Sequence, residues 1–414
     1  MNAGLDSDVV VKLLPRNETY VLSFHRNLDH QVYELALRRP EDRASSLKKN
    51  LPNRLDELRQ YIGLKQMKLD EARVIRAVNC LNRLAYGFLD VLLEESGQRA
   101  GEVMPQLAQF LLPVFISTAL RASVPVVEIE AAASDRLAWM LPFEFLPLAP
   151  EATAVIVARD HLEPFLGFRA EIVRFLRGGA DEINTDVRGR VPVHLFAYSG
   201  QETPGISEQL MFLHENTAIA SIWPGQQSVP DAFTGVQQLA QHLISLPSPA
   251  RERAISCIAH FSCHFLSAGP NTQGGFTAQS GFDFGQCSDG SDLTIGVFDL
   301  RGELEFQQVS RARAQFAALF FLNACQTAAA SNYDETLLGL FFSHNATAII
   351  GSETLLPDRL AAEFAINFYT EFLRDAPLSK AVFKARRWLV EHFDNPAGLL
   401  YTFYGNPMLR LCQP

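Results

Sequence analysis

Apolar residues along this chain fall into two textures. In the first hundred residues, after an N-terminal strand-like piece, Leu51 to Ile62 (LPNRLDELRQYI) and Met67 to Leu93 place apolar side chains three and four positions apart among charges, the spacing of helices with one buried face. From about residue 123 the spacing changes to short β-rich runs: VPVVEIE (124–130), AVIVARD (154–160), VPVHLFAY (191–198), IASIW (219–223), ISCIAHFSC (255–263), AALFFLNAC (317–325) and ATAIIGSE (346–353). Stretches of helical periodicity separate them, and helices are predicted at Glu335 to Phe342, Asp358 to Arg374 and Pro377 to Phe393. Strand and helix in alternation predict an α/β fold with a mostly parallel sheet covered by helices on both faces. The runs that do not alternate suit its central strands.

The pattern suggests a mainly helical N-terminal region over residues 1–120 and an α/β domain over 121–414, with halves at 121–250 and 251–414. Between the late strands, residues 265–316 are rich in Gly, Ser, Gln and Asp, and IGVFDLRGELEF reads as a hairpin turning at Arg301-Gly302. A connection of that length usually lies near a site. No self-similarity supports a helical repeat array. The most apolar window, Phe110 to Leu120, holds eleven residues and a proline, shorter than the roughly 20 a membrane span needs, and reads as core.

Composition narrows the classes. Lys plus Arg number 36 against 46 Asp plus Glu, a net charge of −10, which argues against direct nucleic-acid binding. Six cysteines (Cys80, Cys257, Cys263, Cys287, Cys325 and Cys412) spread through 414 residues are not the dense framework of a secreted mini-protein, and the first twenty residues lack the pattern of a signal peptide. A reducing, cytoplasmic setting is therefore expected.

No P-loop or dinucleotide fingerprint follows any predicted strand, and no G-x-S-x-G elbow occurs. Cysteine and histidine spacing gives no zinc pattern: there is no C-x-x-C pair, and His260 and His264, four apart, sit on or at the end of a strand. No cofactor or metal is expected. What remains is a histidine and a cysteine at the carboxyl ends of buried-looking strands, His264 closing IAHFSCH and Cys325 closing LFFLNAC, 61 positions downstream. Strand ends are where an open parallel sheet presents its chemistry. A nearby imidazole can hold a thiol as thiolate and later protonate a leaving amine, so Cys325 reads as nucleophile and His264 as acid/base. A buried structural cysteine beside a hydrogen-bonded core histidine is the alternative reading of the same pair. The setting N-A-C-Q-T resembles the Q-A-C-x-G context of caspase nucleophiles, whose histidine lies about 50 residues upstream.

These residues resemble a family, the caspase-related cysteine peptidases of the CHAT type. IAHFSCHF is similar to its histidine motif and FLNACQTA to its cysteine motif. ETLLGLFFSHNATAIIGSETLLPDRLAAEFAINFY resembles its helix, strand and acid-bearing block, KARRWL and LYTFYGNPMLRL its closing helix and strand, and LAWMLPFEFLPL (137–148) its Pro-aromatic-Glu segment. The likeness runs over about 120–414 and implies a caspase-like sheet. It also implies an oxyanion site built by the backbone N–H groups of Phe265 and Cys325, although the family usually has glycine where this chain has Phe265. It places Asn323 in the pocket for the residue before the cut, and Asp283, Asp289, Glu353 and Asp358 are acidic candidates for the same pocket.

The resemblance implies a bacterial endopeptidase, latent until triggered, that cleaves a partner protein in defence or programmed death. Its partners would be that protein substrate and a protein or ligand trigger acting through residues 1–120, with no membrane involved. Two alternatives compete. One is a degenerate scaffold that binds a partner without cleavage, which Phe265 favours and the intact His264/Cys325 pair opposes. The other is an acyltransferase or other thiol enzyme, for which no carrier or cofactor motif is present.

Overall fold

The computed structural model describes residues 7–16, 19–38, 55, 57–63, 67–93, 97–130, 143–148, 162–175, 182–184, 190–198, 204–225, 229–246, 254–255, 257–266, 269–270, 276–277, 280–309, 318–324, 337–344 and 346–412. In chain order the principal strands are β1 (Val9–Arg16), β2 (Thr19–Arg26), β3 (Gln31–Arg38), β4 (Val126–Glu130), β5 (Glu171–Phe175), β6 (Pro192–Ala197) and β7 (Ala218–Trp223). They continue with β8 (Cys257–Ser262), β9 (His264–Leu266), β10 (Gly281–Gln286), β11 (Asp292–Gly296), β12 (Ala318–Leu322), β13 (Ala348–Ser352) and β14 (Tyr401–Gly405). The principal helices are α1 (Glu71–Leu93), α2 (Ala100–Leu120), α3 (Pro204–Asn216), α4 (Ala232–Ile244), α5 (Val297–Val309), α6 (Leu337–Ser343), α7 (Asp358–Phe372) and α8 (Leu378–Phe393).

Contacts divide the chain into two compact units. One comprises Met1–Arg177, Asn367–Glu371 and Ala376–Met408; the other comprises Gly178–Ile366, Phe372–Asp375 and Leu409–Pro414. A division at residue 120 is thus not the one the contacts make. The reason lies in strand pairing, because β1 runs parallel to β4 and so ties the N-terminal segment to the sheet beyond that point.

In the first unit, β1, β2 and β3 form an antiparallel meander where mainly helix is expected. Val9, Val11 and Leu13 on β1 and Leu35 and Leu37 on β3 are buried at two-residue spacing, the period of a half-buried strand. Beyond β1, strands β4, β5 and β14 add in parallel. Helix α1 follows the periodicity expected over Met67 to Leu93, and α2 falls in the segment expected to be mainly helical. Among the described residues α2 is the one helix long and apolar enough to cross a membrane; Val103, Leu107, Leu111 and Val114 are buried on it, while Leu112, Ile116 and Leu120 are exposed. The core reading of Phe110 to Leu120 therefore holds for one side of the helix.

This unit is clamped by a buried ion cluster. Arg174 on β5 reaches both oxygens of Glu144 at 2.7 and 2.8 Å, and Arg386 on α8 donates to Glu144 at 3.2 Å and to the Tyr401 carbonyl at 2.6 Å. Burial pushes the Glu144 carboxyl up, but the two guanidinium groups outweigh it and hold the group below the usual carboxylate range.

In the second unit, β13, β12, β8, β6 and β7 lie side by side in that order, every pair parallel. All six residues of β8 and all five of β12 and β13 are buried. Successive side chains point to opposite faces, so both faces of these strands are covered, as the non-alternating runs predict. The AVIVARD run at 154–160 lies outside the described residues.

The hairpin expected at Arg301-Gly302 is a correction. Residues 297–309 form helix α5, with Val297, Leu300 and Leu304 buried three and four positions apart and Gly302 facing open space. Helical spacing outweighs a turn signal that no packing enforces. The hairpin lies just upstream instead: β10 and β11 pair antiparallel, turning through Gly290 at φ +85°.

Candidate active site

Parallel pairing of β8 with β12 sets His260 beside Phe321 and Phe261 beside Leu322, so both strands end at the same edge. From that edge β8 leads through Cys263 to His264, and β12 leads to Asn323 and Ala324. Cys325, the next residue, lies outside the described residues. The neighbouring strands end there too, β6 at Ala197, just before Tyr198, and β13 at Ser352, just before Glu353. The carboxyl edge of the sheet thus gathers the His264 motif, Asn323 and Glu353.

His264 opens β9 and is half-buried. Strand β9 pairs antiparallel with β10, setting His264 opposite Asp283 and Phe265 opposite Phe282. Residues directly opposite share a face, so His264 and Asp283 project to the same side of the pair. On the other face Phe265 is buried, its ring against Phe282 at 5.4 Å. Lying in a strand, Phe265 has an extended backbone that any residue adopts, so the position does not require glycine. The Tyr198 ring meets the His264 ring edge-on at 4.9 Å, and the Tyr198 N–H donates to the Ser262 carbonyl at 2.9 Å.

The residues leading to Cys325 are anchored from three sides. Asn323 Nδ2 donates to Gln209 Oε1 on α3 at 3.1 Å and to the Ala361 carbonyl on α7 at 3.3 Å. Ser352 Oγ, at the end of β13, donates to the Ala324 carbonyl at 2.8 Å. Gln209 Oε1 also accepts from Ser262 Oγ at 3.3 Å, and Gln209 Nε2 is hydrogen-bonded to His260 Nε2. His260 is fully buried, with Phe321 edge-on at 5.0 Å, and burial drives its pKa down to about 3, so it is neutral at ordinary pH. The structure therefore gives His260 a structural place and puts the Asn323 amide nitrogen into the same buried network.

The acidic candidates scatter. Glu353 is buried just past β13, Asp358 is exposed at the first residue of α7, and Asp289 is exposed at the hairpin tip, where it accepts from Ser291. Asp283 alone of them is brought to His264. Gln209, Tyr198, Ser262 and Ser352 complete the site without having been singled out. Tyr198 is the most legible of these, as the last residue of the run VPVHLFAY. Among the described residues no three of His, Cys, Asp and Glu cluster as metal ligands do.

Comparison with known proteins now bears on the class. Residues 211–397, a little under half of the chain, match the family model of the CHAT domain, and they lie on a mostly parallel α/β sheet. The resemblance drawn from the histidine and cysteine motifs is borne out over that range. No curated protein matches the chain. Among solved structures, Saccharomyces cerevisiae separase in complex with securin is similar at 12% identity and TM-score 0.40, covering 97% of this chain and 30% of that one. A second separase–securin structure gives 11% and 0.43, covering 98% and 30%. The Arg-specific cysteine proteinase gingipain R gives 11% and 0.37, covering 70% and 64%. The chain thus spans about 30% of the length of the separase chains.

Proposed function

We propose that the chain is a bacterial caspase-like cysteine endopeptidase, cytoplasmic and latent until triggered, that cleaves a partner protein in a defence or programmed-death pathway through His264 and Cys325. The observation that carries this reading is the pairing of β8 with β12, which delivers the His264 motif and Asn323-Ala324 to one sheet edge from adjacent strands.

In this mechanism His264 takes the Cys325 proton, and the thiolate adds to the scissile carbonyl. The N–H groups of Phe265 and Cys325 donate to the resulting oxyanion. His264 then gives its proton to the leaving amine as the C–N bond breaks. Water, deprotonated by His264, hydrolyses the thioester and restores the thiol. Asn323 and Glu353, at the ends of adjacent strands, contribute to the pocket for the residue before the cut, the acid suiting a basic side chain. A protein or ligand trigger acts through residues 1–120.

The test is labelling with a peptidyl acyloxymethyl ketone, read by mass spectrometry, with and without lysate of the native host. Selective modification of Cys325, lost in His264→Ala, is expected, and dependence on lysate would reveal the trigger. Cys80 is the internal comparator, since burial pushes its thiol up to about 11. If Cys325 labels no faster than Cys80 under either condition, the non-cleaving scaffold replaces the peptidase.

A further inference from the structure

We propose that Asp283 is a positioning residue for His264, its carboxylate orienting the imidazole from across the β9–β10 pair while Tyr198 packs against the ring. This deepens the peptidase reading and rests on it for its catalytic consequence. It replaces the pocket role that the sequence suggests for Asp283.

Three observations point the same way. His264 and Asp283 are direct partners in the antiparallel register, which places their Cβ atoms about 5 Å apart on one face. The carboxylate is itself held: its Oδ1 accepts the Gly285 N–H at 2.9 Å, where Gly285 sits at φ +102° in an irregularity between Asp283 and Gln286. Such irregularities re-aim a strand side chain. Finally, the Tyr198 ring stands edge-on to the imidazole at 4.9 Å, limiting its rotation.

The electrostatics agree. Burial raises the Asp283 pKa, the Gly285 N–H and then His264 lower it, and Asp292 raises it. Tyr198 is raised by burial, then by Asp283 and Asp292. The titratable groups around the pair are therefore Tyr198 and Asp292.

The test combines a structural and a kinetic readout. Asp283→Asn keeps an oxygen to accept the Gly285 N–H and removes only the charge. The expected result is that the alkaline limb of the iodoacetamide alkylation rate at Cys325 moves down by about one pH unit, with affinity for a peptide probe unchanged. An unchanged limb with Cys325 still reactive would overturn the proposal. Carbon-13 NMR of the Asp283 carboxyl in wild type and His264→Gln needs no catalysis: its titration midpoint should rise in the variant, and an equal midpoint would overturn the proposal even if Asp283→Asn does not fold. If Cys325 is unreactive while the NMR shift appears, the peptidase reading fails and the His264–Asp283 coupling stands.

Discussion

Asn323 Nδ2 donates to Gln209 Oε1 at 3.1 Å, and the same oxygen accepts from Ser262 Oγ at 3.3 Å. One glutamine from α3 thus joins the ends of the two strands that lead to Cys325 and to His264. A buried amide in this position does more than fill space, because it couples the spacing of the strand ends to the placement of a single helix.

Replacing Gln209 with leucine removes the acceptor while keeping comparable volume. Buried groups on Asn323, Ser262 and His260 lose a partner, which should cost about 3 kcal/mol in urea denaturation. Under conditions where the variant stays folded, acylation of Cys325 should fall by about 100-fold, the loss expected when reacting groups shift by about 1 Å. Full stability together with full acylation would show that the strand ends hold their spacing without Gln209.

His260 makes stability depend on pH. Its folded-state pKa, near 3, lies well below the ordinary 6.5, so between these values the unfolded chain binds a proton that the folded chain refuses. Stability is therefore lost as pH falls through that window, by about 2 kcal/mol between pH 7 and pH 5 from this residue alone. His194, driven by burial to about 4, and His242, also lowered by burial, act in the same direction. In His260→Leu the stability at pH 7 should drop, but the further loss on going to pH 5 should be smaller than in wild type. Denaturation curves at both pH values check this, and equal losses would remove His260 from the acid response.

Phe265 stands where the family resemblance implies glycine. Since its backbone is extended and its ring is buried against Phe282, Phe265→Gly should not raise Cys325 acylation. It should lower stability by about 4 kcal/mol, the range for removing a buried aromatic ring. Faster acylation in the variant would mean that the phenylalanine obstructs the oxyanion site.

The parallel core of the second unit is legible from sequence because strands covered on both faces must be largely apolar, as ALFFL is throughout and CIAHFS is apart from His260 and Ser262. The meander β1–β3 is not, since continuous runs such as VVV at 9–11 and YVL at 20–22 hide the two-residue period that burial later reveals. At 297–309 a turn signal competes with helical spacing, and only packing of Val297, Leu300 and Leu304 decides between them. The site divides in the same way. His264 is readable as a strand-end residue, but Gln209 reaches His260 from 51 positions away and Asp283 reaches His264 only through strand register, which a local pattern does not encode.

Glu144 lies in the Pro-aromatic-Glu segment and carries two arginines in a site where all three are about 1% exposed. Glu144→Gln would leave Arg174 and Arg386 buried without a counter-charge, a change that should destabilise the protein by about 4 kcal/mol. Because the Glu144 pKa is lowered in the folded state, its stabilisation is present at neutral pH and is lost as pH falls through the carboxylate range. A triple variant, Glu144→Leu with Arg174→Met and Arg386→Met, removes the charges together and should recover most of the loss, since apolar packing replaces a buried ion cluster at little net cost. Thermal melts of both variants at pH 7 separate the two possibilities. If the triple variant is as unstable as Glu144→Gln, the cluster contributes geometry that apolar side chains do not reproduce, most directly the Arg386 bond to the Tyr401 carbonyl where β14 begins.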